Sequence, residues 1–161
     1  FFSSSGGQTD NSEDVFVSAV PYLVSVESPY EENATHQNEK TEMSLSELKK
    51  VLKKYFPEKE WGKITRESIK VLSRTSGGRV SQMQIGDAIV KGTEVRNALG
   101  LRSTLFTVGF EGKGNAVKVI FTSSGNGHGV GMSQYGADGM AKKGYTYQQI
   151  LEHYYVGAQV F

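Results

Sequence analysis

A glycine-rich run contains the polar side chains whose types and spacing are best suited to bind a ligand. It spans residues 125–137 and reads GNGHGVGMSQYGA. Glycines at alternate positions permit positive φ and let a ligand approach the backbone closely. His128 lies between two glycines, and Ser133, Gln134 and Tyr135 follow with a hydroxyl, an amide and a ring. Such groups suit a hydroxyl-rich ligand, for example a sugar.

The glycine-rich run also has features of a nucleotide-binding loop and of a purely structural turn. It lies between a predicted strand and a predicted helix, as does the fingerprint of a dinucleotide-binding unit. That unit needs a second parallel strand ending in an acidic residue about twenty positions on, whereas here Thr146 caps another helix. The phosphate-loop pattern is also absent, so nucleotide binding is disfavoured. Two alternatives stay open: the glycines serve only close packing, and His128 only fixes the loop through hydrogen bonds.

Composition excludes several classes of function. The 161 residues suffice for one domain, with 37% hydrophobic residues to form its core. Because the net charge is +1, without a basic stripe, nucleic-acid binding is not expected. The absence of cysteine excludes disulfides and thiolate metal sites, and the three histidines lack close ligand spacing. We therefore predict no metal site and no cofactor, and no apolar stretch approaches the length of a membrane span.

The elements around the run predict an α+β fold. Residues 1–30 are predicted as a strand, a glycine turn, an acidic stretch and a second strand at 22–26, and residues 31–42 as a polar surface loop. Residues 105–110 and 116–121 form a predicted hairpin whose second strand enters the glycine-rich run. We predict a mixed core of short strands and helices, residues 1–43 and 104–161, whose segments 5–9 and 128–135 meet as walls of one groove.

Residues 44–103 are predicted to be a small α+β insertion in this core. Ser44 and Glu47 have capping-box spacing before an amphipathic helix that Pro57 ends. Short strands are predicted at 69–71, 80–85 and 88–90, and then a short helix that Thr93 caps, which runs through Leu99 and is ended by Gly100. The lysines at 49, 50, 53 and 54 are typical of a solvated helix face, with an anionic-polymer patch as the alternative.

Three segments resemble the stage II sporulation protein D family, which includes amidase-enhancer proteins. They read GHGVGMSQYGA, FFSSSGGQTDNSEDVF and PYLVSVESPY. The resemblance implies a lytic transglycosylase that cleaves the bond between N-acetylmuramic acid and N-acetylglucosamine in peptide-stripped peptidoglycan glycan strands during sporulation. A hydroxyl of the muramic acid replaces water, so the product is a 1,6-anhydro sugar and one carboxylic acid suffices.

The resemblance also implies the site residues. The expected substrate-binding residues are Ser5, Gly6, Gly7, Gln8, Thr9, His128, Gly129, Met132, Ser133, Gln134 and Tyr135. The family's catalytic glutamate lies in a Glu-Met-Pro-type motif, expected upstream of Phe1, so we assign no catalytic residue here. Asp10, Glu13 and Asp14 are expected to be exposed or turn-capping, and Glu27 is the best internal candidate, although a surface role is favoured. The zinc site of some family members needs cysteine and is excluded.

The implied context is a longer parent protein of which this chain is the carboxy-terminal portion. That parent would be anchored by an amino-terminal segment on the extracytoplasmic face of the membrane, at the sporulation septum. Besides glycan strands, the implied partners are stage II sporulation protein P, an amidase, and stage II sporulation protein M. The alternative function is a non-catalytic, glycan-binding module of the amidase-enhancer kind. In either case we expect this chain alone to be inactive.

Overall fold

The computed structural model describes all residues, 1–161, and the fold is α+β as predicted. The helices are α1 (Ser12–Val15), α2 (Leu45–Tyr55), α3 (Gly92–Leu99), α4 (Gln134–Lys142) and α5 (Tyr147–Tyr154). The strands are β1 (Glu39–Ser44), β2 (Ile69–Arg74), β3 (Val80–Ile85), β4 (Ala88–Lys91), β5 (Phe106–Glu111) and β6 (Lys118–Ser123). Short 3₁₀ turns occur at Arg66–Ser68 and Gly114–Ala116. None of the helices is both long and apolar enough to cross a bilayer.

Two three-stranded antiparallel sheets organise the chain. The first has the order β1-β6-β5 and the second the order β2-β3-β4. In the first sheet Ser123, at the end of β6, lies opposite both Glu39 and Phe106. Because β6 is held on both sides and ends two residues before Gly125, this sheet fixes where the glycine-rich run begins.

Strand β1 corrects the prediction of a surface loop over 31–42. Its sequence, EKTEMS, is polar and mostly exposed, so no alternation of apolar residues marks it as a strand. Pairing with β6 makes it an edge strand, because the partner supplies the backbone hydrogen bonds that the local sequence does not demand.

The predicted strands at 1–5 and 22–26 do not form. These segments are extended, but the backbone bridges here are isolated: Phe2 with Ser133 and Ser4 with Asn126 in the first segment, and Gln8 with Glu27 next to the second. Side chains take the backbone groups that a ladder would use: Asn11 Oδ1 accepts from the Ser25 N–H at 2.7 Å, and Thr9 Oγ1 from the Val26 N–H at 2.8 Å. Polar side chains therefore replace strand pairing in this part of the chain.

The helix caps largely follow the sequence. Ser44 and Glu47 form the predicted capping box of α2, with Lys50, Lys53 and Lys54 exposed on the helix. The N-cap of helix α3 is Lys91, two residues before the predicted Thr93, and the helix ends at Gly100 with a φ of 67°. Local capping chemistry thus sets most helix ends.

The main hydrophobic core is continuous across position 103. It combines buried residues of α2, α3 and the second sheet, among them Leu48, Met83 and Val95, with Phe106 and Phe121 of the first sheet. The division into residues 44–103 and the remainder stays a prediction, but the apolar side chains on both sides of that boundary pack as one cluster. Helices α4 and α5 pack separately, around Met140, Ile150 and Tyr154.

Candidate functional site

The residues on either side of one predicted wall, 5–9, are joined by backbone hydrogen bonds to the other predicted wall, 128–135. The Phe2 N–H donates to the Met132 carbonyl at 3.0 Å, and the Gln134 N–H donates back to the Phe2 carbonyl at 2.9 Å. Further along, the Asp10 N–H donates to the Gly129 carbonyl at 2.8 Å. Backbone hydrogen bonds therefore join the amino-terminal segment to the glycine-rich run over most of their length.

Glu31, which the sequence analysis placed in a surface loop, lies at the centre of this junction. Its Oε2 accepts the N–H groups of Ser5 at 3.0 Å and Gly6 at 3.1 Å. Its Oε1 accepts the hydroxyls of Ser5 at 2.9 Å, Ser28 at 2.7 Å and Ser133. The sequence signal was Ser28-Pro29-Tyr30-Glu31, which has the same hydroxyl-to-carboxylate spacing as a capping box.

A buried ion pair ties residues 44–103 to the amino-terminal segment. Arg79 Nη1 lies 3.4 Å from Asp10 Oδ2, and the two side chains are 1% and 0% exposed. The Arg79 guanidinium also donates to the carbonyls of Gln8 at 2.9 Å and Ser5 at 2.7 Å. Burial lowers the pKa of Arg79, and the charge of Asp10 opposes that shift. Asp10 is therefore not exposed, which corrects that half of the expectation, since a buried arginine distant in sequence neutralises it. The other half, turn-capping, agrees with the structure, because Asp10 Oδ1 accepts the Thr75 hydroxyl and the Gly77 N–H, both at 2.6 Å.

The imidazole of His128 is held by two aromatic rings and two hydrogen bonds. The rings of Phe2 and Phe16 each lie 5.4 Å from the imidazole, centroid to centroid. Nδ1 accepts the Val130 N–H at 3.1 Å, and Nε2 lies 3.2 Å from the Phe1 carbonyl, to which it donates. Burial lowers the pKa of His128, and a neutral ring is the form that these two bonds require. No cluster of potential metal ligands exists in the chain.

The predicted binding residues divide into an inward and an outward set. The inward set is buried or bonded within the protein: Ser5, Gly6, Thr9, Gly129, Met132, Ser133 and Gln8, whose amide donates to Ser25 Oγ at 2.8 Å. The outward set is exposed or half-buried: Gly7, Gln134, Tyr135 and His128, whose ring is half-exposed although both of its nitrogens are bonded within the protein. A cavity of about 210 Å³ is lined by Gln134, Tyr135 and Asp138. The outward set can contact a ligand, whereas the inward set shapes the backbone behind it.

The carboxylates of the region are either exposed or already hydrogen-bonded within the chain. Glu13 and Glu27 are exposed, and Asp14 accepts the Ser76 hydroxyl at 2.6 Å. Both oxygens of Glu31 are occupied by donors from the chain itself. A general acid must present its proton to the leaving oxygen, and the carboxylates of Asp14 and Glu31 are already engaged within the chain. We assign no catalytic acid among them.

Tyr154 extends the Glu31 network into α5. Its hydroxyl lies 2.6 Å from Ser28 Oγ, which in turn donates to Glu31. Burial raises the pKa of Tyr154 to about 12, the Ser28 hydrogen bond opposes the shift, and the charge of Glu31 adds to it. Folding therefore favours the neutral phenol.

The raised pKa of Tyr154 predicts a loss of stability in alkali. The unfolded state ionises near pH 10 and the folded state near pH 12, so the contribution is complete below pH 10 and declines above it. We expect the wild type to lose about 2–3 kcal/mol more than Tyr154→Phe between pH 9.5 and 12. Urea unfolding of both proteins across this range measures the difference, and parallel pH profiles would contradict the prediction.

The amino-acid sequence of the chain places it in a family. The chain belongs to the family described as Domain of unknown function (DUF8618), whose model matches residues 19–131. Stage II sporulation protein D of Bacillus subtilis (strain 168) is 39% identical over 161 aligned positions, which cover 99% of this chain and 44% of that protein. The same protein of Bacillus amyloliquefaciens is 38% identical over the same shares. The resemblance to the stage II sporulation protein D family is therefore confirmed.

A second kind of relative matches a smaller part of the chain. The Amidase enhancer of Bacillus subtilis (strain 168) is 36% identical over 92 residues, which cover 55% of this chain and 12% of that protein. The chain spans less than half the length of each of these relatives.

Proposed function

We propose that this chain is the glycan-binding part of a bacterial cell-wall lytic transglycosylase that acts during sporulation. The observation that supports this most is the junction of the two predicted wall segments around Glu31, which leaves Gly7, His128, Gln134 and Tyr135 outward. A backbone with ring, amide and hydroxyl groups suits the hydroxyls and N-acetyl groups of a glycan strand. The names of the relatives, sporulation protein and amidase enhancer, agree with a role in the cell wall.

The proposed reaction needs one carboxylic acid from a part of the parent that this chain does not contain. That acid protonates the oxygen between N-acetylmuramic acid and N-acetylglucosamine as the glycosidic bond breaks. It then accepts the proton of the muramic acid 6-hydroxyl as that oxygen bonds to C1, which closes the 1,6-anhydro ring. The contribution of this chain is to hold the strand in register with that acid.

We place the parent on the outer side of the cytoplasmic membrane at the sporulation septum, by family resemblance. There stage II sporulation protein P would remove the peptides that the enzyme does not tolerate, and stage II sporulation protein M would be a membrane partner. The alternative function, a non-catalytic module that binds glycan and activates an amidase, is favoured by the match to the Amidase enhancer. A catalytic glutamate in the parent would favour the transglycosylase, and its absence would favour the non-catalytic module.

The proposal predicts that the chain binds peptide-stripped glycan strands and does not cleave them. Binding without proton transfer leaves the barrier to cleavage largely intact. Calorimetric titration with peptide-stripped strands measures the dissociation constant, and mass spectrometry of the products detects 1,6-anhydro ends. We expect Tyr135→Ala to weaken binding about tenfold, with little change in the melting temperature.

The matched control is Tyr147→Ala, because Tyr147 is also an exposed tyrosine but lies at the start of α5. It should bind as the wild type does. Failure of the wild type to bind glycan would overturn the proposed function. Anhydro ends above background would show that an acid of this chain does act, and would redirect attention to Glu27 and Glu31.

A further inference from the structure

Glu31 contacts both wall segments at once. On one side it accepts the N–H groups of Ser5 and Gly6, in the turn that leads to Gly7. On the other it accepts the hydroxyl of Ser133, the residue that caps α4 and precedes Gln134 and Tyr135. The donors come from positions 26 residues before Glu31 and 102 after it. A single carboxylate therefore spans the distance between the two halves of the proposed binding surface.

Three hydrogen-bond chains end on this carboxylate. In each, a serine hydroxyl donates to Glu31 and accepts a hydrogen bond from a second group: the Gly7 N–H on Ser5, the Gly136 N–H on Ser133, and the Tyr154 hydroxyl on Ser28. The serines are buried. The chains link the turn at Gly7, the first turn of α4 and helix α5 to one point.

These hydrogen bonds require residue 31 to accept at both of its side-chain oxygens, as a carboxylate does. Because every partner is a donor, an amide in place of the carboxylate would point its N–H₂ either at the backbone N–H groups of Ser5 and Gly6 or at the three hydroxyls. In the first orientation the amide N–H₂ faces the backbone N–H groups, so donor meets donor. In the second it faces the three hydroxyls, which must then turn their protons away from residue 31 and lose the acceptor to which they now donate. The first turn of α4 also favours a negative charge at its amino end.

We propose that Glu31 is a positioning residue of the glycan site. It sets the separation and orientation of the Gly7 turn and the Gln134–Tyr135 segment without contacting the glycan itself. This inference rests on the proposed function, since it concerns the same surface. It assigns to the Ser-Pro-Tyr-Glu segment a role in spacing the two walls rather than in acid catalysis.

The first test uses the complete chain without ligand. In Glu31→Gln, we expect the backbone amide resonances of Ser5, Gly6, Gly7 and Gly136 to shift together, because the shared acceptor is lost. Glu32→Gln is the matched control, since Glu32 is the exposed neighbour, and it should leave these resonances in place. Glu31→Asp serves if the glutamine variant does not fold; it keeps both acceptor oxygens but is one methylene shorter, so the hydrogen bonds to both walls lengthen and a smaller shift at the same amides is expected. Unchanged amides at either wall would overturn the positioning role.

The second test measures binding of peptide-stripped glycan strands at temperatures where each variant is fully folded. We expect the dissociation constant of Glu31→Gln to rise about tenfold, that of Glu31→Asp to lie between it and the wild type, and that of Glu32→Gln to stay unchanged. A folded Glu31→Gln protein that binds as the wild type does would overturn the inference. If the wild type binds no glycan, the proposed function fails, whereas the amide resonances still decide whether Glu31 links the walls.

Discussion

Replacing Arg79 by methionine is expected to lower the free energy of unfolding by about 3–5 kcal/mol, because it leaves a buried carboxylate without its charge partner. Asp10 is fully buried, and Arg79 contributes its only cationic contact. The substitution also removes the donors to the carbonyls of Ser5 and Gln8. Methionine retains much of the side-chain volume, so the lost charge and hydrogen bonds dominate the change.

Urea unfolding, followed by circular dichroism, measures this loss. The control is Arg102→Met, because Arg102 is exposed, and it should change stability by less than about 0.5 kcal/mol. The double variant Arg79→Met with Asp10→Asn should be more stable than the sum of the single effects predicts, since the stranded charge is gone. A loss below about 1 kcal/mol for Arg79→Met would show that water or rearrangement solvates Asp10.

Gly139→Ala is expected to lower the free energy of unfolding, although replacing glycine by alanine inside a helix usually raises it. In a helix interior, alanine is normally more stable than glycine by about 0.5–1 kcal/mol. Here a Cβ would lie 2.2 Å from the backbone carbonyl oxygen of Tyr30, which cannot move like a flexible side chain. Because α4 must shift away from Tyr30 and Glu31, we expect a net loss of about 1–3 kcal/mol and weaker glycan binding.

The matched control is Gly109→Ala, in β5, where nothing lies within 4 Å of the position of a new Cβ. It should be neutral or slightly stabilising. Thermal unfolding of both variants decides the matter. A stabilised Gly139→Ala protein would mean that α4 does not pack directly on the Tyr30 backbone, and would remove the close contact on which the Glu31 junction depends.

The glycine-rich run shows features of the packing interpretation as well as of the binding interpretation. Gly129, with a φ of 91°, lies directly against the Arg79 guanidinium, so close packing accounts for its lack of a side chain. Gly136 likewise faces Ser28 and Tyr154. His128 makes the loop-fixing hydrogen bonds of the alternative interpretation, yet remains half-buried beside the outward residues. Whether it also contacts glycan stays a prediction.

The sequence by itself determined the elements whose causes are local. The Ser44 capping box, the β5–β6 hairpin, the Gly100 helix end and the two helices after the glycine-rich run follow from side chains within a few residues of each other. The recognition of the family also came from contiguous motifs, which need no knowledge of the fold.

The tertiary structure alone decided which polar groups meet. Glu31 looks like a surface residue in a polar stretch, and Asp10 like a turn residue, because their partners lie 102 and 69 positions away. Strand β1 likewise exists through pairing with a distant strand. The cost of burying a charged or polar group is met by donors that only the folded chain assembles, so apart from the Ser28–Glu31 spacing no local pattern indicates these positions.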